Sequence, residues 1–494
     1  MKYIPTIGLE IHAELLTQTK MFCDCLNDET QLVANTNICP VCLAHPGSLP
    51  VANKQAIDFV IKTGLALNCE INRYSKFDRK NYFYPDLPKA YQISQYDLPL
   101  CKNGYVVLPE SGTKIGITRI HLEEDTAKLA HAADGKHSLV DFNRAGVPLM
   151  ELVTEPDFHS AESVVEFAQE FQLLLRYLGV SDGDMEKGHL RLEANISIAP
   201  EGSTQLGKKV EVKNLNSFQA VFRAIQYEIE RHTALWEEGR EKEIVQETRG
   251  WNETKQETFS QRSKEDAHDY RYFPDPDLPP MIFSDADIET IRASIVELPA
   301  QRRQRLSQEY NLSSKQAELL VRDLFLCDFF EKAVSELRAQ YKNGRVDLVY
   351  NYIVNDLKGM EKDPVVSVGG SDVGPTFIFM YENTQPVYVA QIVSMIEDGK
   401  ISSYAAKEIL REIFEGNGSP EEIVNKRGLL QISDESALQK VIQEVLATNA
   451  KAVDEYKNGK VSAIQFLVGQ VMAKTKGTAN PGIVRTMLEK ELTK

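Results

Sequence analysis

Several common signatures are missing from these 494 residues. No apolar run approaches the roughly 18 residues that a membrane-spanning helix requires. Met1 leads directly into strand-like sequence, without a basic and then apolar leader, so a cytosolic, bacterial protein is expected. No G-x-x-x-x-G-K-[ST] loop occurs. Gly369 to Gly374 has the glycine spacing, but Pro375-Thr376 follows where a phosphate-binding lysine would stand. The kinase signature set and the nucleophile elbow are both missing. There is no Ser-Lys amidase pattern, and no cysteine sits in a glycine-rich nucleophile context. If the chain uses ATP, it does so outside the common folds, and if its reaction needs ammonia, another chain must release it. Seven cysteines are too few for a disulfide framework at this length.

What is present describes a globular chain of about three domains, with an ordinary apolar content of 42%. The net charge of −16 argues on its face against a nucleic-acid partner. The charge is uneven, however. Residues 447–494 hold eight Lys/Arg against four Asp/Glu. An acidic body with a basic tail flags a polyanion at one end, although charge alone favours a solvated helix pair.

Residues 1–295 mix strands and helices in irregular order. Alternation through Ile7, Leu9, Ile11 and Ala13 predicts a strand over 4–14. Helices are expected over 53–67, 160–178 and 217–236, with Ser160 as N-cap and Gly179 as stop. Strands are expected over 114–122, 138–142, 191–199 and 208–212. After Leu298-Pro299 the pattern becomes helix after helix (299–309, 314–321, 328–338, 349–357), interrupted by the glycine-rich 368–374 and resumed at 387–397 and 402–415. A boundary at Gly416-Asn417-Gly418-Ser419-Pro420 sets off a compact helical tail, with helices over 435–449, 458–473 and 481–492. The fold class is α+β, with domains at 1–295, 296–416 and 417–494.

Four features carry chemistry. Cys23-x-Cys25 and, thirteen residues later, Cys39-Pro40-Val41-Cys42 supply four thiolates in two knuckles, a spacing suited to closed, structural zinc. Buried free thiols or a disulfide, the latter disfavoured in a reducing cytosol, are the counter-readings, and the isolated Cys69, Cys101 and Cys327 read as core residues. Glu10 and His12 share one strand face. With Glu123-Glu124-Asp125 and Glu151 they offer donors for Mg²⁺ or Mn²⁺, although pattern alone favours a salt-bridged strand surface. Lys76, Arg79, Lys80 and Arg144 are cations of the kind phosphoryl transfer uses. Two loops, Tyr82-Phe83-Tyr84-Pro85-Asp86-Leu87-Pro88 and Tyr270-Arg271-Tyr272-Phe273-Pro274-Asp275-Pro276-Asp277, share aromatics beside Pro and Asp and read equally as pocket walls or as turns over a core.

Taken together, the blocks Ile7-Gly8-Leu9-Glu10-Ile11-His12, Lys76-Phe77-Asp78-Arg79-Lys80-Asn81-Tyr82-Phe83-Tyr84-Pro85-Asp86 and His121-Leu122-Glu123-Glu124-Asp125 resemble a known family. So do Asn143-Arg144-Ala145-Gly146-Val147-Pro148-Leu149-Met150-Glu151, Lys213-Asn214-Leu215-Asn216-Ser217-Phe218, Asp269-Tyr270-Arg271-Tyr272-Phe273-Pro274 and Gln465-Phe466-Leu467-Val468-Gly469-Gln470-Val471-Met472. That family is the B subunits of bacterial aspartyl/glutamyl-tRNA amidotransferases, and the blocks run in order through nearly the whole chain. The resemblance implies a cradle with a kinase-like site, then helical parts that dock tRNA. It implies ATP-dependent phosphorylation of the side-chain carboxylate of Glu-tRNA(Gln) or Asp-tRNA(Asn). Ammonia then displaces the phosphate. It comes through a channel from an amidase-type A subunit, and a small C subunit completes a heterotrimer. The implied Mg²⁺ site maps to His12, Glu124 and Glu151 with Glu10 beside them. On this reading Lys76, Arg79 and Arg144 serve catalysis, and Lys80, Tyr82 and Arg271 contact ATP. Thr126-Ala127 and Leu43-Ala44-His45 depart from the family's usual form, and some members lack the four cysteines, which supports a structural zinc. Two other functions fit the residues less closely: an ATP-dependent ligase or kinase acting on a small acidic metabolite, and a non-catalytic tRNA-binding scaffold.

Overall fold

A computed structural model describes residues 2–28, 31, 33–132, 135–263, 269–341, 344–360, 383–431, 435–475 and 477–493. They fall into two compact units, Met1–Arg302 and Arg303–Lys494. The first begins with β1 (Tyr3–Glu14), α1 (Lys54–Ala66), β2 (Glu70–Ile71), β3 (Tyr74–Ser75), β4 (Asp78–Asn81), β5 (Tyr91–Ser94), β6 (Cys101–Val107) and β7 (Lys114–Glu124). It continues with β8 (Lys128–His131), β9 (Ser138–Asp141), β10 (Pro148–Thr154), α2 (Ala161–Leu178), β11 (Leu190–Pro200), β12 (Val210–Leu215) and α3 (Phe218–Glu237). It closes with β13 (Glu247–Asn252), β14 (Glu257–Ser263), β15 (Phe273–Pro274), β16 (Met281–Ile282) and short helices.

Nine strands form one sheet, ordered β14-β13-β12-β11-β1-β10-β7-β6-β2. Only the β12–β13 pair is parallel. Strand alternation gives this sheet two unlike faces. In β1, Ile7, Leu9, Ile11 and Ala13 are at most 1% exposed, and they join residues of α1, α2 and α3 in one core. Phe158 packs edge-on to Phe167 of α2 at 5.3 Å within that core. Glu10, His12 and Glu14 point the other way. A mixed sheet with helices on one face is the expected α+β arrangement.

The helices stop where local chemistry says they should. The Ser160 hydroxyl accepts from the Ser163 amide, and Gly179 ends α2 in the left-handed region at φ 66°. Asn53 and Ser217 cap α1 and α3 in the same way.

The second unit is built of helices, among them Ser314–Val321, Leu324–Gln340, Pro386–Glu397, Ser403–Phe414 and Pro420–Arg427. The helix expected over 349–357 is instead Val346–Asn351 running into a π-turn at Tyr352–Leu357. Helices Glu435–Thr448, Ala463–Lys474 and Pro481–Leu492 enclose a core of their own, including Leu438, Ile442, Leu467, Val471, Val484 and Leu488. The helix expected over 458–473 starts later, at Ala463. Gly459, at φ 95°, breaks the chain after a separate helix Ala450–Lys457. The glycine-rich 368–374 lies outside the described residues. No helix among the described residues is long and apolar enough to cross a membrane.

Candidate active site

The polar face of the sheet brings its titratable groups together through register. His121 of β7 lies opposite Glu151 of β10, which lies opposite His12 of β1, which lies opposite Arg191 of β11. One row of side chains therefore crosses four strands. Glu123, two residues after His121, joins it from the same face. The Glu151 carboxylate lies 3.4 Å from both His12 Nε2 and His121 Nε2. Glu123 lies 3.5 Å from His12 Nε2 and 3.7 Å from His121 Nε2. Each of these carboxylates thus meets both imidazoles. Glu10 stands 3.9 Å from His12 Nε2 and also approaches Glu193 and Glu211.

The cluster is buried, so its charges act strongly on one another. Burial opposes ionisation of Glu151, but His121, His12 and Lys80 hold its carboxyl far below the usual range. The same balance depresses Glu123, with His121 and Lys80 as the stabilising partners. His12 resists its own burial and is raised to about 9 by the hydrogen bond and charge of Glu151, then by Glu123 and Glu10. Burial and the neighbouring Glu151 and Glu193 push Glu10 up to about 7. The carboxylates therefore draw in positive charge. Ligand atoms of Glu10, His12 and Glu151 lie within 4.8 Å of one another, as do those of His121, Glu123 and Glu151. Such donors fit a divalent cation of the Mg²⁺ or Mn²⁺ kind.

Two cations attend this cluster: Arg119, 3.4 Å from Glu151, and the more buried Lys80. Burial opposes its charge, but Glu123, Tyr272 and Glu151 raise its pKa. Its Nζ sits 5.2 Å from the Tyr270 ring centroid. The structure carries the other expected residues elsewhere. Glu124 does not join Glu151 and His12, because adjacent residues of a strand face opposite ways. It pairs instead with Lys89 at 2.6 Å and accepts the Ile93 amide at 2.9 Å. There it lines a cavity of about 270 Å³ with Cys42, His45 and Tyr91. Lys76 is bound by Asp78 and Asp97 at 2.6 and 2.8 Å. Arg79 is bound by Asp275 and Asp277 at 2.7 and 3.0 Å and covers the Tyr91 ring. Arg144 lies 3.6 Å from Asp125, donates to the carbonyls of Thr126 and Ala127, and borders a polar cavity with Glu14, Lys128 and His189. Tyr82 and Arg271 stand on the two aromatic loops, which the structure does bring together. The Tyr82 and Tyr270 rings meet at 5.9 Å.

Reading the sequence by blocks gave no weight to His121 or to Glu123 over Glu124. The signal was available: His121 and Glu123 are two apart, as Glu10 and His12 are, and only that spacing shares a face. Lys89 and Arg191 carried no sequence signal, since their roles depend on pairing across distant segments.

The Cys23, Cys25, Cys39 and Cys42 sulfurs also lie within 4.8 Å of one another, and all four are free thiols. The Cys39 amide donates to Cys42 Sγ at 3.1 Å. The buried Lys20 brings its ammonium to 4.0 Å from that sulfur and donates to the Asn37 carbonyl. A hydrogen bond from Cys23, the Cys39 amide and Lys20 together push the Cys42 thiol down to about 5, against burial. The set fits a tetrahedral, thiolate-binding Zn²⁺. Purified protein is expected to hold about one equivalent of zinc, which Cys42→Ser lowers severalfold along with the melting temperature. Metal analysis and a thermal scan check this, and equal zinc in variant and parent would count against the site.

Residues 5–289 match the family model described as the GatB/GatE catalytic domain, and residues 328–492 match that of the GatB domain. Among curated proteins, the B subunit of the aspartyl/glutamyl-tRNA(Asn/Gln) amidotransferase of Thermoanaerobacter pseudethanolicus is 47% identical over 100% of both chains. Its counterpart in Dehalococcoides mccartyi is 47% identical over 99% of both. That in Caldicellulosiruptor saccharolyticus is 46% identical over 100% of both. Similarity of that extent, end to end, means that the chain belongs to the GatB/GatE family.

Proposed function

We propose that this chain activates the side-chain carboxylate of a mischarged aminoacyl-tRNA with ATP and joins ammonia to it, turning Glu-tRNA(Gln) into Gln-tRNA(Gln), Asp-tRNA(Asn) into Asn-tRNA(Asn), or both. The observation that carries the reading is the buried row His121–Glu151–His12 with Glu123 and Lys80 against it. A carboxylate is a poor electrophile. Transfer of the γ-phosphoryl group of ATP to one of its oxygens releases ADP and gives an acyl phosphate. Ammonia attacks the acyl carbon, and inorganic phosphate leaves. Mg²⁺ held by Glu151, Glu123 and the two histidines would neutralise phosphate charge. The charge of Lys80 interacts with the same carboxylates, which suits it to meet the transferred group. Attack by ammonia leaves a surplus proton. Glu10, more exposed than Glu123 and Glu151, offers a carboxylate oxygen to accept it.

The relatives are B subunits by name, which supports a multi-subunit enzyme. The reading assigns ammonia release from glutamine to an amidase-type A subunit and includes a small C subunit, all in the bacterial cytoplasm. It gives residues 1–295 the chemistry, and residues 296–416 and 417–494 the docking of tRNA. Co-expression with candidate A and C subunits tests it. With glutamine as the nitrogen source, Gln-tRNA or Asn-tRNA should form only when ATP and the glutaminase are both present. ATP turnover driven equally well by free glutamate or aspartate, without tRNA, would replace this reading with a small-molecule ligase. The tail provides a separate check, since it has its own core. Removing residues from Gly418 onward should weaken tRNA binding on the order of tenfold or more in a filter-binding assay, with the circular dichroism of the sheet retained. Unchanged tRNA affinity would relocate the docking surface.

A further inference from the structure

The two aromatic loops form a continuous row of rings beside the buried carboxylates. Tyr82 meets Tyr270 at 5.9 Å, Tyr270 meets Tyr272 at 6.1 Å, and Tyr272 stacks on Tyr96 at 4.3 Å with its ring plane 10° from parallel. Backbone pairing holds the loops in place. Phe273 and Pro274 pair with Arg79 and Asp78, and the Asn81 side chain donates to the Tyr270 and Arg271 carbonyls. Arg271 is held in the left-handed region at φ 44°, where a non-glycine residue carries strain. Burial, then Glu123 and Glu151, raise Tyr272 to about 12 against the lowering charge of Lys80, which joins the row electrostatically to the site. At the outer side, Phe83 is 90% exposed, Tyr84 59% and Tyr96 61%.

Large aromatic rings left in water usually mark a surface that something covers. The occupant follows from the surroundings. Among the described residues the row is partly exposed and several rings long, so it suits successive bases of a strand better than one enclosed mononucleotide, whose pockets bury most of the ligand. Stacking on aromatics tolerates any base, and Arg271, exposed and 3.6 Å from the equally exposed Asp269, can turn to a phosphate backbone. Within the row, the Tyr270 ring centroid lies 5.2 Å from Lys80 Nζ, and Lys80 feels the charges of Glu123 and Glu151. We propose that this shelf receives the unpaired 3′-terminal nucleotides of the aminoacyl-tRNA. Stacking of the terminal bases there sets the esterified amino acid over the carboxylate cluster. The proposal rests on the functional reading above and assigns Tyr82 and Arg271 to the tRNA end rather than to ATP.

The test uses the full chain assembled with its partner subunits, ammonium chloride as nitrogen source, and tRNA carrying 2-aminopurine in place of the terminal adenine. Binding of this tRNA should change the 2-aminopurine fluorescence with the parent enzyme. The change should be largely lost with Phe83→Ala/Tyr84→Ala and with Tyr270→Leu, and retained with Tyr270→Phe. In steady state, the first two variants should raise KM for mischarged tRNA roughly 5- to 150-fold, the range of one lost base stack, with KM for ATP unchanged. If the parent binds the tRNA but every variant gives the same fluorescence change, the shelf assignment is wrong and the functional reading stands. If KM for ATP rises instead, the shelf holds the adenine of ATP. If the parent neither binds nor turns over mischarged tRNA, the functional reading fails and the proposal fails with it.

Discussion

Glu151→Gln should reduce transamidation on the order of 10²–10³-fold or more while leaving tRNA binding and the fold intact. The size follows from position. One carboxylate lies 3.4 Å from two imidazoles, in a buried row felt by Lys80. Loss of a single preorganised charged group aimed at a developing charge costs about 2.7–4 kcal/mol of transition-state stabilisation. The fold survives because Gln keeps the shape, and because His12, whose proton Glu151 largely holds, is free to release it. Glu123→Gln should behave alike, and the double variant should lose little beyond either single one, since both carboxylates serve the same pair of histidines. Glu124→Gln acts on a different group, Lys89. Single-turnover rates for the three variants decide which neighbouring acid the reaction uses. A loss at Glu124 larger than that at Glu123 would return the assignment to the residue that the family resemblance implies.

The largest stability effect is expected far from this row, at Glu228 of α3. Its fully buried carboxylate lies 2.7 Å from Arg231, 3.2 Å from Arg249 and 3.3 Å from His232, and it also accepts from the Thr258 hydroxyl. Glu228→Ala leaves Arg231 and Arg249 without their shared anion in a low-dielectric site. A loss of about 3–5 kcal/mol is expected, a drop on the order of 10 °C in melting temperature. Differential scanning calorimetry reads it directly, and a shift below about 2 °C would show that water or rearrangement compensates. The pH dependence follows with a definite sign. Burial opposes the charge of Glu228, but His232, Arg231 and Thr258 lower its pKa to about 2, from 4.5. The folded-state value is depressed, so the stabilisation is complete above about pH 4.5 and fades as pH falls through about 2. Acid unfolding of the parent over that window should be steeper than that of Glu228→Ala.

Both predictions concern places where the sequence was legible to different depths. Helix ends were readable because Ser160, Asn53 and Gly179 act locally. So was the strand at 4–14, because Ile7, Leu9, Ile11 and Ala13 alternate without interruption. Strands β13 and β14 escaped notice, since Glu247–Asn252 and Glu257–Ser263 carry polar residues on both faces and gain their order from partners. The cysteine cluster was legible from spacing alone. The carboxylate site was legible as a set of blocks but not as a geometry. Which of Glu123 and Glu124 faces His12 is fixed by the pairing of β7 with β10, and that pairing is a long-range event. For the same reason Lys76 and Arg79, grouped in sequence with Lys80, turn out to be bound by Asp78, Asp97, Asp275 and Asp277, whereas Lys80 feels the charges of Glu123 and Glu151.

The in-register row also constrains how this protein can change over evolutionary time. Core and chemistry occupy alternate residues of the same three central strands, so they share a single parity. Inserting or deleting one residue within β1 or β10 would send Ile11 or Leu152 outward and His12 or Glu151 into the hydrocarbon interior, cancelling both at once. Changes of length should therefore be tolerated best in the connections, such as the cysteine-bearing segment between β1 and α1. The chemistry is as hard to lose by drift as the hydrophobic core is, because the same lattice of hydrogen bonds counts out both.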